Sequence, residues 1–156
     1  MENTGSKDHT VMETISERKV KLSCWYQLNI YYEDTDHSGY VYHANYLKFF
    51  ERARSELIGV KLIKDFFESG VHFVVAGANI RYKRPAHYGD TLTVRTELEL
   101  SDSPRTIVKQ NIYTEHSDKP VVTGEIELVL VGTNGKPITP PDHVFESLRN
   151  KFQDQK

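Results

Sequence analysis

Residues 31–46 read YYEDTDHSGYVYHANY, and within them Asp34, Asp36, His37 and His43 fall inside ten positions beside a glycine and several tyrosines. Carboxylates and imidazoles move protons or attack electrophilic carbon, so the stretch offers general acid–base or nucleophilic chemistry. Asp36 is the leading candidate, in a turn with Gly39, where partial burial would raise its pKa and nearby donors would hold it ionised. The bland alternative for Asp36 is a turn aspartate bonding its own backbone. Asp34 is read as orienting the turn, Glu33 as facing away from it, and Gly39 as permitting a tight bend. For His43 the alternatives are a packing or capping role and a substrate-facing one. The spacing of these side chains matches none of the familiar zinc patterns, and no metal is expected.

Such groups need elements to aim them. KLSCWYQLNIYY, from Lys21, alternates Leu22, Cys24, Tyr26, Leu28, Ile30 and Tyr32 with mostly polar neighbours, the period of a half-buried strand. NYLKFFERARSELIGV then spaces Tyr46, Phe49, Phe50, Ala53, Leu57 and Val60 as one face of a helix, with Asn45 as N-cap and Gly59 as its stop. A short helical piece ending at Gly70 follows, and then four strand-like runs separated by turn-forming residues. Gly124 interrupts the last run and predicts a bulge or a close approach. PPDHVFESLRN is read as a terminal helical turn capped by Asp142. Strand, helix, then antiparallel strands make an α+β domain, with one sheet covering the long helix and exposed edges inviting a second copy.

Composition sets the outer limits. The 156 residues suit one domain, given domain sizes of roughly 100 to 150 residues, and 38% apolar with 27% charged residues is ordinary for a globular chain. No apolar run nears the ~18 residues that would span a bilayer. A net charge of −2 argues against nucleic-acid binding as the main task. The polar, aperiodic residues 1–19 read as a flexible leader without an export or transit signal, residues 20–150 as the domain, and 151–156 as a tail. The lone Cys24 reads as a small packing residue, and a cytoplasmic location is expected.

The segment YYEDTDHSGYVYHANYLKFFERARSELI resembles the signature of hotdog-fold acyl-CoA thioesterases of the 4-hydroxybenzoyl-CoA thioesterase-like group, including the Tol-Pal-associated branch. YKRPAHYGDTL is also similar to that family, and the likeness runs through most of residues 22–131. The resemblance implies a five-stranded antiparallel sheet wrapped round a long central helix, paired across subunits as a homodimer or homotetramer, with active sites at the subunit interface. It implies hydrolysis of an acyl- or aroyl-CoA thioester, with no cofactor besides the coenzyme A of the substrate. Asp36 matches the catalytic position, His43 a histidine of the Tol-Pal-associated branch, and the following helix start the place where the carbonyl is polarised.

The chemistry also stands on its own terms. A thioester needs an attacking group and donors for the oxyanion, and a helix N-terminus supplies free N–H groups with a positive dipole end. Gly39 and Tyr42 fall on the substrate side of this arrangement, and Tyr40, Phe73 and Tyr82 could line an acyl pocket or belong to the core. Arg81, Lys83 and Arg84, with His87, cluster near a hairpin and Arg105 sits in the next; they are candidates for the coenzyme A phosphates or charges guarding a strand edge. Glu51 on the helix is an alternative carboxylate, otherwise paired with Arg54 or Ser55. Two other readings are a hydratase or dehydratase acting on an enoyl-CoA and a binding module without turnover.

Overall fold

The computed structural model describes residues 10–153. Six antiparallel strands form one sheet, in the order β1-β2-β4-β5-β6-β3: β1 (Val11–Ser16), β2 (Lys19–Asn29), β3 (His72–Tyr82), β4 (Thr91–Leu100), β5 (Arg105–Thr114) and β6 (Val122–Val131). Alternation decides which face is buried. Leu22 and Cys24 of β2, Leu92 and Val94 of β4, Val108 and Ile112 of β5 and Ile126 of β6 all point to one side. On that side lies α1 (Asn45–Ile58), which buries Tyr46, Phe49, Phe50, Ala53 and Leu57. Burying an aromatic or branched side chain of this kind contributes about 1.5–3 kcal/mol, so this helical stripe is what the sheet curves to cover.

The expectation of five strands is corrected to six among the described residues. The added strand, β1, lies inside the stretch read as a flexible leader; nearly all of it is exposed, so no buried period marks it, and it is ordered by pairing with β2 and by Met12 against the core cluster that includes Phe145 and Leu148. Residues 1–9 of that leader lie outside the described residues, as do the last three of the expected tail.

Gly59, at φ 95°, ends α1 and lets α2 (Val60–Glu68) start at once in a new direction. The expected final turn is a three-turn helix, α3 (Asp142–Gln153), and its last residues occupy the start of the expected tail. Its Val144, Phe145, Leu148 and Phe152 join Val20, Leu22, Leu57, Leu100 and Leu130 in a second core cluster beside that under α1. Asp142 opens α3 and its carboxylate pairs with Arg18, which also pairs with Asp102 and donates to the Pro140 carbonyl at 2.7 Å.

Gly124 carries no bulge, because its register against Gln110 and Ile80 is continuous. It is a close approach: a Cβ there would sit 2.7 Å from the Phe50 ring. In the pairing of β6 with β3 the register shifts instead between Val75 and Gly77 of β3.

Candidate active site

A single 3-10 turn, Tyr32–Asp34, follows β2, and Asp34 ties the segment to the helix. Its carboxylate accepts the Tyr31 N–H at 2.9 Å, while its carbonyl accepts the Tyr42 N–H and the Asn45 side-chain amide, each at 2.9 Å. Asn45 is therefore not the N-cap: Ala44 takes that place without a side-chain bond, and Asn45 uses its amide to anchor the loop.

Between these anchors the chain closes on itself. The Asp36 N–H donates to the Tyr40 carbonyl at 2.8 Å and the Gly39 N–H to the Asp36 carbonyl at 3.0 Å. Gly39 has φ 81° with open space around it, so backbone conformation alone requires glycine. Asp36 Oδ1 accepts both the Ser38 N–H, at 2.8 Å, and the Ser38 hydroxyl. These two bonds hold the Asp36 carboxyl below its ordinary value of 3.8. The expected upward influence of burial is present and outweighed, because the side chain is exposed and the Ser38 donors pull harder.

His43 stands at the mouth of α1. Its ring lies 4.6 Å from that of Tyr42 and 6.2 Å from that of Tyr82, and its carbonyl accepts the Tyr82 hydroxyl at 3.1 Å. The Asn45 N–H goes to Tyr42 and the Leu47 N–H to Ala44, which leaves the amides of His43, Ala44 and Tyr46 without a backbone acceptor among the described residues. Tyr46 is core, and burial pushes its phenol up to about 12.

The expected aromatic pocket divides. Tyr40 packs on His87, while Tyr42 and Tyr82 pack on His43; Phe73 instead lines a separate cavity of about 550 Å³ between α1, α2, α3 and the sheet. That cavity has an apolar floor of Leu22, Leu98, Leu100, Leu128 and Leu148, and Glu51, Arg54 and Ser55 belong to its polar lining. Arg54 donates to Gln110 Oε1 at 2.8 Å instead of pairing with Glu51, and burial lowers its pKa. Gln110, fully buried, also donates to the Phe50 carbonyl and to Thr96, each at 2.9 Å.

The candidate phosphate-binding cations are dispersed. Arg84 donates to the Lys119 and Pro120 carbonyls at 2.9 and 3.3 Å, and Arg105 pairs with Glu127. Arg81 faces a shallow depression that it shares with Trp25, Arg95, Lys109 and Tyr113. Lys83 follows β3 directly, its N–H bonded to the Val121 carbonyl at 2.8 Å. Among the described residues no three His, Cys, Asp or Glu side chains gather as metal ligands, and no helix is long and apolar enough to cross a membrane.

Sequence reasoning missed Ser38, whose position two residues after an aspartate in a glycine turn is the pattern of a self-bonded turn. It also missed Gln110, an amide at an inward position of a strand otherwise buried on that face.

Residues 31–148 match the Thioesterase-like superfamily. The chain belongs to this family. An acyl-CoA thioesterase of Helicobacter pylori, YbgC, is 42% identical over 84 residues, covering 54% of this chain and 62% of that protein's length. A putative acyl-CoA thioesterase of Bacillus subtilis, YneP, is 33% identical over 114 residues, covering 72% of this chain and 83% of its own. The crystal structure of a probable thioesterase from Bartonella henselae superposes with a TM-score of 0.67 at 35% identity, over 76% of this chain and 99% of that one. The sheet wrapped round α1 is the hotdog fold of these thioesterases.

Proposed function

We propose that the protein hydrolyses the thioester of an acyl-CoA to a free acid and coenzyme A. The observation that carries this reading is the Asp36 carboxylate, held ionised by Ser38 in a closed turn directly before the N-terminus of α1. In its anionic form Asp36 takes a proton from an attacking water, or attacks the carbonyl itself. The amides of His43, Ala44 and Tyr46, which have no backbone acceptor among the described residues, receive the negative charge that forms on the carbonyl oxygen. The C–S bond then breaks and His43 protonates the departing thiolate; on the direct route water then cleaves the Asp36 anhydride and frees the acid.

The 550 Å³ cavity, within the usual size of ligand pockets and apolar at its floor, is assigned to the far end of a long acyl chain, since none of its lining residues belongs to the Asp36 turn where the carbonyl reacts. Arg81 and Lys83 remain the cations assigned to the coenzyme A phosphates, since Arg84 and Arg105 are engaged elsewhere. No resident cofactor is required, because coenzyme A arrives with the substrate. Two copies are expected to pair through β3, the eleven-residue strand that ends the sheet and leaves Val74 and Val75 exposed. A cytoplasmic location fits this substrate class.

The test is release of free thiol from short, medium, long and aromatic acyl-CoAs by the wild type and by Asp36→Asn. Thiol release by the first and loss of it in a folded second supports the reading; equal rates in both would remove Asp36 from the chemistry. Absence of release from every substrate by the wild type would reject hydrolysis.

A further inference from the structure

The His43 carbonyl sits where a helix would ordinarily supply a donor four residues on, but the Leu47 N–H turns to Ala44 instead, at 3.2 Å. The vacancy is filled from β3: the Tyr82 hydroxyl donates to that carbonyl at 3.1 Å. The peptide group is planar, so the His43 C=O and the Ala44 N–H point in opposite directions as one rigid unit. Whatever fixes the carbonyl fixes the aim of the Ala44 N–H, one of the amides without a backbone acceptor.

We propose that Tyr82 is a positioning residue, whose hydroxyl orients the His43–Ala44 peptide so that the mouth of α1 presents its donors to the reacting carbonyl. The proposal rests on the thioesterase reading for its catalytic consequence and on geometry alone for the peptide's orientation. Tyr82 is 49% exposed, so its hydroxyl is not required to satisfy a buried core. Its ring packs edge-on to His43 at 6.2 Å and tilted against Tyr46 at 5.7 Å, contacts that phenylalanine retains.

Tyr82→Phe therefore removes the hydrogen bond and leaves the packing. The expected result is a kcat lowered about tenfold, the effect of a misaimed group at a reacting centre, with KM within about twofold and the melting temperature unchanged. The amide resonance of Ala44 should move in the same variant, whereas Tyr82→Leu should lower the melting temperature as well. Wild-type kcat in Tyr82→Phe, or a fall in kcat matched by a fall in melting temperature, would overturn the proposal. If the wild type cleaves no thioester, the thioesterase reading fails by itself, and an Ala44 resonance unmoved by Tyr82→Phe would then overturn the orienting role independently.

Discussion

Asp36 Oδ1 accepts both the backbone N–H and the hydroxyl of Ser38, so one neighbour supplies the two bonds that lower the carboxyl's pKa. Ser38→Ala removes one of them. The acid limb of the kcat/KM profile should move to higher pH, with the rate near neutrality largely retained; an unmoved limb would mean that another group titrates there. The sign for stability follows from the same shift. A carboxyl lowered on folding contributes stability above its ordinary value of 3.8 and loses it as pH falls through the folded value, so Ser38→Ala should flatten the acid dependence of stability in that range.

Gly124→Ala would set a methyl group 2.7 Å from the ring of Phe50, which is fully buried. The ring cannot withdraw without disturbing α1. A destabilisation of about 1–3 kcal/mol is expected, read from the urea midpoint. An unchanged midpoint would show that the helix slides over the sheet at little cost.

Gln110→Leu would remove the partner of Arg54, of the Phe50 carbonyl and of Thr96 at one stroke. Leaving buried polar groups unpaired costs about 1–3 kcal/mol each where water cannot replace the bond. A total loss of about 3 kcal/mol in chemical denaturation is expected, larger than that of Thr96→Val, which spares the helix contacts.

Ser55→Phe tests the acyl assignment of the cavity. Ser55 is half-buried in the cavity lining, where a larger side chain takes space without entering the leucine floor. Each methylene kept out of the cavity forfeits about 0.8 kcal/mol, roughly fourfold in kcat/KM. Long-chain acyl-CoAs should therefore lose activity steeply while the shortest substrates are spared. Equal loss at every length would place the acyl group elsewhere.

Ala76→Glu puts a charge on the exposed edge of β3. Two copies paired antiparallel through that edge would bring the new charges near each other, and sedimentation velocity should report a shift toward the single chain. No shift would move the contact to another surface.

The helical period of Tyr46, Phe49, Phe50, Ala53 and Leu57 placed α1, because a wide buried stripe writes itself into spacing, whereas Val60, read as the last member of that stripe, is exposed and opens α2. β1 left no such trace: its order comes chiefly from hydrogen bonds to β2, to which side-chain pattern is blind, and Met12 alone of its side chains reaches the core. The turn around Asp36 was legible from its residue types, yet the direction of the Asp36 shift was not, since it depends on whether Ser38 reaches the carboxylate before burial does. Asn45 has the chemistry of a cap and instead ties back to Asp34, a choice made by the path of the loop. The dispersal of Arg81, Arg84 and Arg105 is likewise tertiary: neighbours in sequence find separate partners once Lys119, Pro120 and Glu127 are brought alongside.

The clasp of Arg18 on Asp102, Pro140 and Asp142 joins the start of the sheet to the start of α3, and the cluster behind it draws Val20 and Leu22 against Phe145, Leu148 and Phe152. On the ribosome Arg18 and Asp142 are born 124 residues apart. A nascent chain that has not yet extended past Asp142 holds an open apolar trough along Leu22, Leu57 and Leu100, the kind of surface that chaperones grip and that aggregates form on. Helix α3 is thus the latch of biosynthesis: the second core cluster waits for it, and so does one wall of the cavity.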